Sequence, residues 1–384
     1  MKIGEVQPVR PTVVFVSVSR GLGGPARSLL TLLQHLGDGF ERVLVAPPGQ
    51  PARLAISQGL VDDHVAMPIG KGGRRRSRIA AAIALARYVR AHRHRIVSLH
   101  ANGQTELNLT ALATALTRVP VAMWAHTSRA SPTAGWLAWF WRRRGPNVRC
   151  VAVSETARRV VVDTLGLKSD TIEIVGNPID PDDVVGERLP HQGVRIGYLG
   201  LDLPHKGFDL LAPIMDRVNR EGVSLELYVA PPRPDLMVEL QPAWDQLFDL
   251  EGRRAIYHVG RVSDVRSAYS VLDIILCPSR QEAFGRVAAE AMLNGLPVVA
   301  SDIPALRAVV GHEQGGLLFP PGDAAAAAEA ICRLVDEPEL RRRLGAQARE
   351  RARRFVPEIT AERFRAIYLD SRVNGRHRRS ITSA

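Results

Sequence analysis

PSRQEAFGRVAAEAMLNGLPVVASD, residues 278–302, is the stretch that decides the fold. The β-branched run DIILCPS (273–279) leads into it as a buried strand ending at Cys277–Pro278. A polar loop follows, a helix starts near Gly285 and stops at Asn294–Gly295, and PVVASD (297–302) opens the next strand. Strand, loop, helix and strand in that order form the unit of a parallel α/β sheet. Such sheets bind ligands at the carboxyl ends of their strands. A helix N-terminus at that end offers backbone N–H groups and a positive dipole to a diphosphate. Two glutamates bracket the turn, Glu282 in the loop and Glu290 two turns into the helix. Glu290 has Val287, Ala288, Ala291 and Met292 as neighbours, and a carboxylate on so apolar a helix needs a partner. Ribose hydroxyls suit it; spacing alone also leaves a solvated surface position open.

Outward from this turn, short β-branched runs alternate with helical stretches on both sides, the pattern of parallel sheets. Before it lie VVFVSV (13–18), RVLVA (42–46), IVSLH (96–100), VAMWA (121–125) and CVAVS (150–154), with helical stretches such as Ala26 to Leu36 and Arg78 to His92. Around NPIDPDDVVGERLP (177–190) the composition turns to Pro, Asp and Gly, which reads as a linker. A second series follows: VRIGYLG (194–200), SLELYVA (224–230), AIYHVG (255–260), then the two strands around the opening stretch. The expectation is an α/β chain of two Rossmann-like, doubly wound domains facing a cleft, 1–185 and 186–355. A helix at 356–370 crosses back to the first domain, and residues 371–384, SRVNGRHRRSITSA, form a disordered basic tail. A length of 384 residues also favours two domains.

Hydrophobic residues at 46% and charged residues at 23% place the chain among ordinary globular proteins, and no apolar run is long enough to span a bilayer. The net charge of +12 suits an anionic partner such as phosphate, an acidic lipid surface or nucleic acid. Aromatic residues at 5% and the lack of a recognised motif argue against nucleic acid. Cys150, Cys277 and Cys332 are odd in number and far apart, so neither a disulfide framework nor a zinc site is expected. With no visible signal peptide, the reading is a cytoplasmic protein, with the inner face of the membrane as a candidate surface.

EAFGRVAAE resembles the E-x7-E motif of the retaining glycosyltransferases of family 4, which have the GT-B fold. PS precedes it, and EAM, GLPVVASD and GGLLFPPGD follow as they do in that family. The resemblance extends through GGPARSLLTLLQHL, MWAHTS, CVAVSE, VGNPID, GYLGLDLPHKGFDLL and PEITAERFRAIY, in the family's order along nearly the whole chain. It implies that Glu282 contacts the donor sugar and Glu290 the ribose. It also implies that the backbone N–H groups of Phe284, Gly285 and Arg286 hold sugar and phosphates, that Val262 meets the base, and that Lys206 neutralises the leaving diphosphate. Breaking the anomeric bond does pile charge on that group, and fixed cations and dipoles must receive it. One position departs from the pattern: the arginine usual a few residues before the lysine is Leu201 here, for which Arg261 or Arg286 are candidate substitutes.

In SRGLGGPA (19–26), Gly21, Gly23 and Ala26 spell a dinucleotide fingerprint. The second strand nevertheless ends in Ala46-Pro47-Pro48-Gly49, without the carboxylate that a dinucleotide's ribose requires. Gly23 and Gly24 are instead expected to let the backbone approach donor and acceptor. The resemblance places His126, after the VAMWA strand, near the reacting sugar, while His100 and Asn102 end the preceding strand. No DxD motif or histidine cluster suggests a metal, and none is expected, nor any cofactor besides the nucleotide-sugar substrate. The expected acceptor is a glycan or lipid-linked glycan. Two basic segments, KGGRRRSRIAAAIALARYVRAHRHR (71–95) and GWLAWFWRRR (135–144), have the make-up of surfaces that bind anionic membranes. An epimerase of the same fold and a non-catalytic membrane-binding module are the rival functions.

Overall fold

The computed structural model describes residues 10–381 apart from 69–74, 130–132, 134, 145–146, 220, 230–242, 244, 248–254 and 260–264. The chain forms two compact units, residues 10–178 with 357–381, and Ile179–Val356.

The first unit is built on seven parallel strands: β1 (Thr12–Val16), β2 (Glu41–Ala46), β3 (Asp63–Ala66), β4 (Ile96–Ala101), β5 (Val121–Ala125), β6 (Val148–Ala152) and β7 (Ile172–Ile174). Their order is β3-β2-β1-β4-β5-β6-β7. The central strands are apolar along their length because helices cover both faces of such a sheet, and every residue of β1 and β5 is buried. The chain winds outward from β1 in one direction and from β4 in the other, so the switch point lies between these two strands. The last helix, Pro357–Ile381, closes this unit. Its Phe364 and Tyr368 are fully buried, and the Tyr368 hydroxyl shares a 2.7 Å hydrogen bond with Nδ1 of His100. The helix runs through Ile381, where the sequence suggested a disordered tail from 371. Once a helix is docked, each further residue adds a hydrogen bond without a new nucleation cost, so it outlasts the apolar pattern.

The second unit has six parallel strands: β8 (Val194–Gly200), β9 (Val223–Val229), β10 (Ala255–Val259), β11 (Ile274–Cys277), β12 (Val298–Ser301) and β13 (Gly316–Phe319), in the order β10-β9-β8-β11-β12-β13. Here the switch point falls between β8 and β11. Much of the segment read as a linker packs inside this unit. Gly186 N donates to Asn294 Oδ1 (3.1 Å), Asn294 Nδ2 donates to the Val184 carbonyl (3.0 Å), and Leu189 N donates to the Ser270 carbonyl (2.9 Å).

Candidate active site

Ligands of open parallel sheets sit beyond the strand ends at the switch point, where the two flanking loops diverge. In the second unit those loops are 201–207, after β8, and 278–285, after β11. They are locked together. The backbone N–H groups of Arg280 and Gln281 both donate to the His205 carbonyl, at 2.9 and 3.2 Å. Gly207 has φ +71°, and a Cβ there would stand 2.0 Å from the Pro278 carbonyl oxygen. Only glycine allows this approach, so Gly207→Ala is expected to part the loops. Backbone strain alone would cost about 1–2 kcal/mol. Calorimetric titration with a nucleoside diphosphate should therefore read about tenfold or more weaker binding.

The approach brings Lys206 and Glu282 into contact, Nζ to Oε1 at 2.6 Å, and Ser279 Oγ donates to the same oxygen at 3.1 Å. Both charged side chains remain partly exposed, at 27% and 17%. Beneath them the Cys277 thiol is pushed up to about 12 by burial and by the nearby Glu282 carboxylate, so it stays protonated and inert. Gly285, at φ +97°, caps the helix Arg286–Leu293 with no side-chain cap, so the first-turn amides face the loop. Phe284 is buried edge-on against Phe355, with ring centroids 5.0 Å apart, which fixes the turn from below.

Glu290 is buried, which excludes the solvated surface position. Its two oxygens are engaged separately: Tyr269 Oη donates to Oε2 at 2.9 Å and Arg286 Nε donates to Oε1 at 2.6 Å. Burial and the adjacent carboxylate hold the Tyr269 hydroxyl well above its ordinary range, so it remains a donor. Tyr269 lies on the short helix Val265–Ser270, and no spacing in the sequence pointed to it. Leu201 is 41% exposed and contributes no charge, while its carbonyl accepts from Tyr198 Oη at 2.7 Å. Arg286 is committed to Glu290, and Arg280 to Asp209 through two bonds of 2.6 and 2.7 Å. Val262 and Arg261 lie outside the described residues.

The remaining expected residues belong to the first unit. Gly23 and Gly24 start the helix Gly24–His35 after β1, with Gly23 at φ −81°. A Cβ on Gly24 would meet nothing within 4 Å, so the protein's own packing does not require glycine there. His126 follows β5, with Nε2 3.2 Å from Asn102 Oδ1 and its ring 4.5 Å from that of Trp124. His100 is a core residue: burial, followed by the nearby His126, lowers it to about 3, so it stays neutral among aromatic rings.

Among the described residues, no group of three or more His, Cys, Asp or Glu side chains is placed to hold a metal ion. Nor is any helix there long and apolar enough to cross a membrane.

The sequence and fold are similar to those of known glycosyltransferases. Residues 22–183 match the family described as Glycosyltransferase Family 4, and residues 193–337 match Glycosyl transferases group 1. A phosphatidyl-myo-inositol mannosyltransferase of Mycolicibacterium smegmatis is 27% identical over 361 residues, covering 90% of both chains. A D-inositol 3-phosphate glycosyltransferase of Corynebacterium glutamicum is 29% identical over 190 residues, 48% of this chain and 46% of that relative. Among solved structures, Anabaena Alr3699/HepE in complex with UDP superposes with a TM-score of 0.77 at 19% identity, covering 94% of this chain and 100% of that one. The two parallel-sheet units and these matches define a nucleotide-sugar-dependent glycosyltransferase of the GT-B fold. Within that class, the chain is similar to glycosyltransferase family 4 over residues 22–183.

Proposed function

We propose that the chain is a retaining, metal-independent hexosyltransferase that moves a sugar from a nucleoside-diphosphate donor to a lipid-linked or inositol-bearing acceptor at an anionic membrane face. The observation that carries the proposal is the contact between Lys206 and Glu282 at the β8/β11 switch point, beside the helix start at Gly285. A fixed cation and a row of backbone amides suit the charge that develops on a departing diphosphate without a metal ion. In this reading Lys206 exchanges part of its bond to Glu282 for the diphosphate. Glu282 then turns to the sugar hydroxyls. Phe284, Gly285 and Arg286 present their N–H groups, and Val262 meets the base. Glu290 accepts from the ribose while holding Arg286. The family resemblance gives His126, Gly23 and Gly24 roles toward the sugar and acceptor. Retention is supported by the resemblance of EAFGRVAAE to the family motif.

A panel of nucleotide sugars tests the proposal. The GDP-mannose arm comes first, because the similar proteins named above include a mannosyltransferase. Each donor is offered with phosphatidylinositol vesicles or with inositol phosphate, and the anomeric configuration of the product is read by NMR. An inverted product or strict dependence on a divalent ion contradicts it. Donor conversion without any acceptor would instead identify an epimerase.

Membrane contact is supported by the helix Gly135–Arg143. Trp141 is fully buried, but Trp136 and Trp139 are 66% and 55% exposed, with the Arg143 guanidinium 5.3 Å from the Trp139 ring. Ile79 and Ile83, on the basic helix Arg75–His92, are exposed as well. Apolar tips among arginines suit an interface where rings enter the headgroups and cations meet phosphate. The wild-type chain is expected to sediment with vesicles containing acidic lipid at about 0.1 M salt and to be released near 1 M. The W136S/W139S double variant should stay in the supernatant at both. Equal sedimentation of the two proteins removes this face from the account.

A further inference from the structure

The turn joining β1 to the helix Gly24–His35 is held at both ends by polar side chains for which the family resemblance supplies no role. At its start, Val18 N donates to Oε1 of Glu106 at 3.0 Å. At its end, Nδ2 of Asn102 donates to the Pro25 carbonyl at 3.2 Å. That bond orients the Asn102 amide so that Oδ1 accepts from His126 Nε2–H at 3.2 Å. Asn102 follows β4 directly, and Glu106 lies in the first turn of the next helix, Gln104–Thr117.

Glu106 is an unusual choice for a strut. Its side chain is buried, and no charged neighbour contributes to its ionisation. The charged or titratable groups on the elements around it are Arg20 on the turn, His100 on β4, His126 after β5, the arginines, Tyr88 and His92 of the helix Arg75–His92, and Arg142, Arg143 and Arg144 at the helix Gly135–Arg143. None is among the causes. Burial pushes the carboxyl up to about 7, against its bonds to the N–H groups of Val18 and of its own residue. The backbone makes room for it: Gly103 has φ +149°, and a Cβ there would lie 2.8 Å from Glu106 Oε2. A carboxylate alone offers acceptor lone pairs on both oxygens to these two amides, and the helix N-terminus favours its negative charge.

We infer that Glu106 and Asn102 are positioning residues that fix the two ends of the Val18–Pro25 turn, and through it Gly23, Gly24 and His126, for sugar transfer. The inference rests on the proposed role of those three residues in the reaction. The ionised carboxylate holds Val18 most firmly, so the turn tightens as pH rises through neutrality. Stability changes in the opposite sense. A carboxyl whose folded value is raised from 4.5 to about 7 contributes stability at low pH that is lost as pH rises through 7.

Two measurements on the full chain test this. In protein labelled with 15N-valine, the Val18 amide shift is expected to titrate near pH 7 in the wild type and to stay flat in E106Q. In the transfer assay, wild-type kcat/KM is expected to rise through an inflection near pH 7 that E106Q lacks. N102A should lower kcat about tenfold, the loss of one hydrogen bond's worth of positioning, with donor KM changed much less. A Val18 shift that does not move between pH 6 and 8, or an E106Q profile that keeps the inflection while only the melting temperature changes, overturns the inference. If the Val18 shift titrates but no nucleotide sugar is turned over, the functional reading fails and the clamp on the turn stands.

Discussion

Lys206→Ala is expected to lower kcat for sugar transfer by about 10²–10³ while barely changing the melting temperature. The two halves of that result have different causes. Removing one preorganised group aimed at developing negative charge typically costs about 10²–10³ in kcat, and the diphosphate gains charge as the anomeric bond breaks. Stability depends on the ion pair with Glu282, whose members are 27% and 17% exposed. In contact with water such a pair is worth only about 0–1 kcal/mol. Glu282 also keeps Ser279 as a donor when the lysine is gone. Lys206→Arg should recover part of the rate, since it retains the charge but not the single compact donor. A Lys206→Ala enzyme working within about tenfold of wild type would show that the diphosphate leaves elsewhere.

Glu290→Ala is expected to fail differently, by destabilising the second unit. The carboxylate is 6% exposed and its Arg286 partner 13%, so deletion takes the carboxylate away from a nearly buried guanidinium and from the buried Tyr269 hydroxyl. Removing one partner of a buried ion pair costs about 3–5 kcal/mol. For a unit of this size that is a fall of roughly 10 °C in its calorimetric transition. Tyr269→Phe removes one hydrogen bond and should cost about 1 kcal/mol. Nucleoside-diphosphate binding should weaken in Glu290→Ala even at temperatures where it remains folded, because Arg286 at the first helical position loses its anchor. A transition within about 2 °C of wild type would contradict the buried network.

Much of this architecture was legible before any coordinates, and the exceptions share a cause. The buried runs VVFVSV, IVSLH, VAMWA and DIILCPS mark central strands, where both faces demand apolar residues. The strands the sequence did not reveal, Asp63–Ala66, Ile172–Ile174 and Gly316–Phe319, all lie at sheet edges. They are short, and two of them keep exposed or half-buried positions that dilute the apolar run. Within the candidate site, Glu282 and Lys206 were recognisable because their neighbours fit a motif. Their 2.6 Å contact was not, since it joins positions 76 residues apart through a sheet crossover. Spacing left Glu290 open between ligand and surface because its partner Tyr269 lies 21 residues earlier on another helix. Glu106 gave no signal at all: one acidic residue in the first turn of a helix reads as an ordinary dipole partner. Only the fold shows it buried beside the Gly-rich turn.

Sugar transfer by this chain requires that an anionic donor group be received at the Lys206 side of the β8/β11 switch point. Isothermal titration of the full chain with a series of nucleoside diphosphates, repeated with Lys206→Ala, addresses this directly. One diphosphate should bind the wild type and lose about tenfold or more in affinity to the variant, in keeping with a lost charged hydrogen bond. Equal affinity in the two proteins would contradict it.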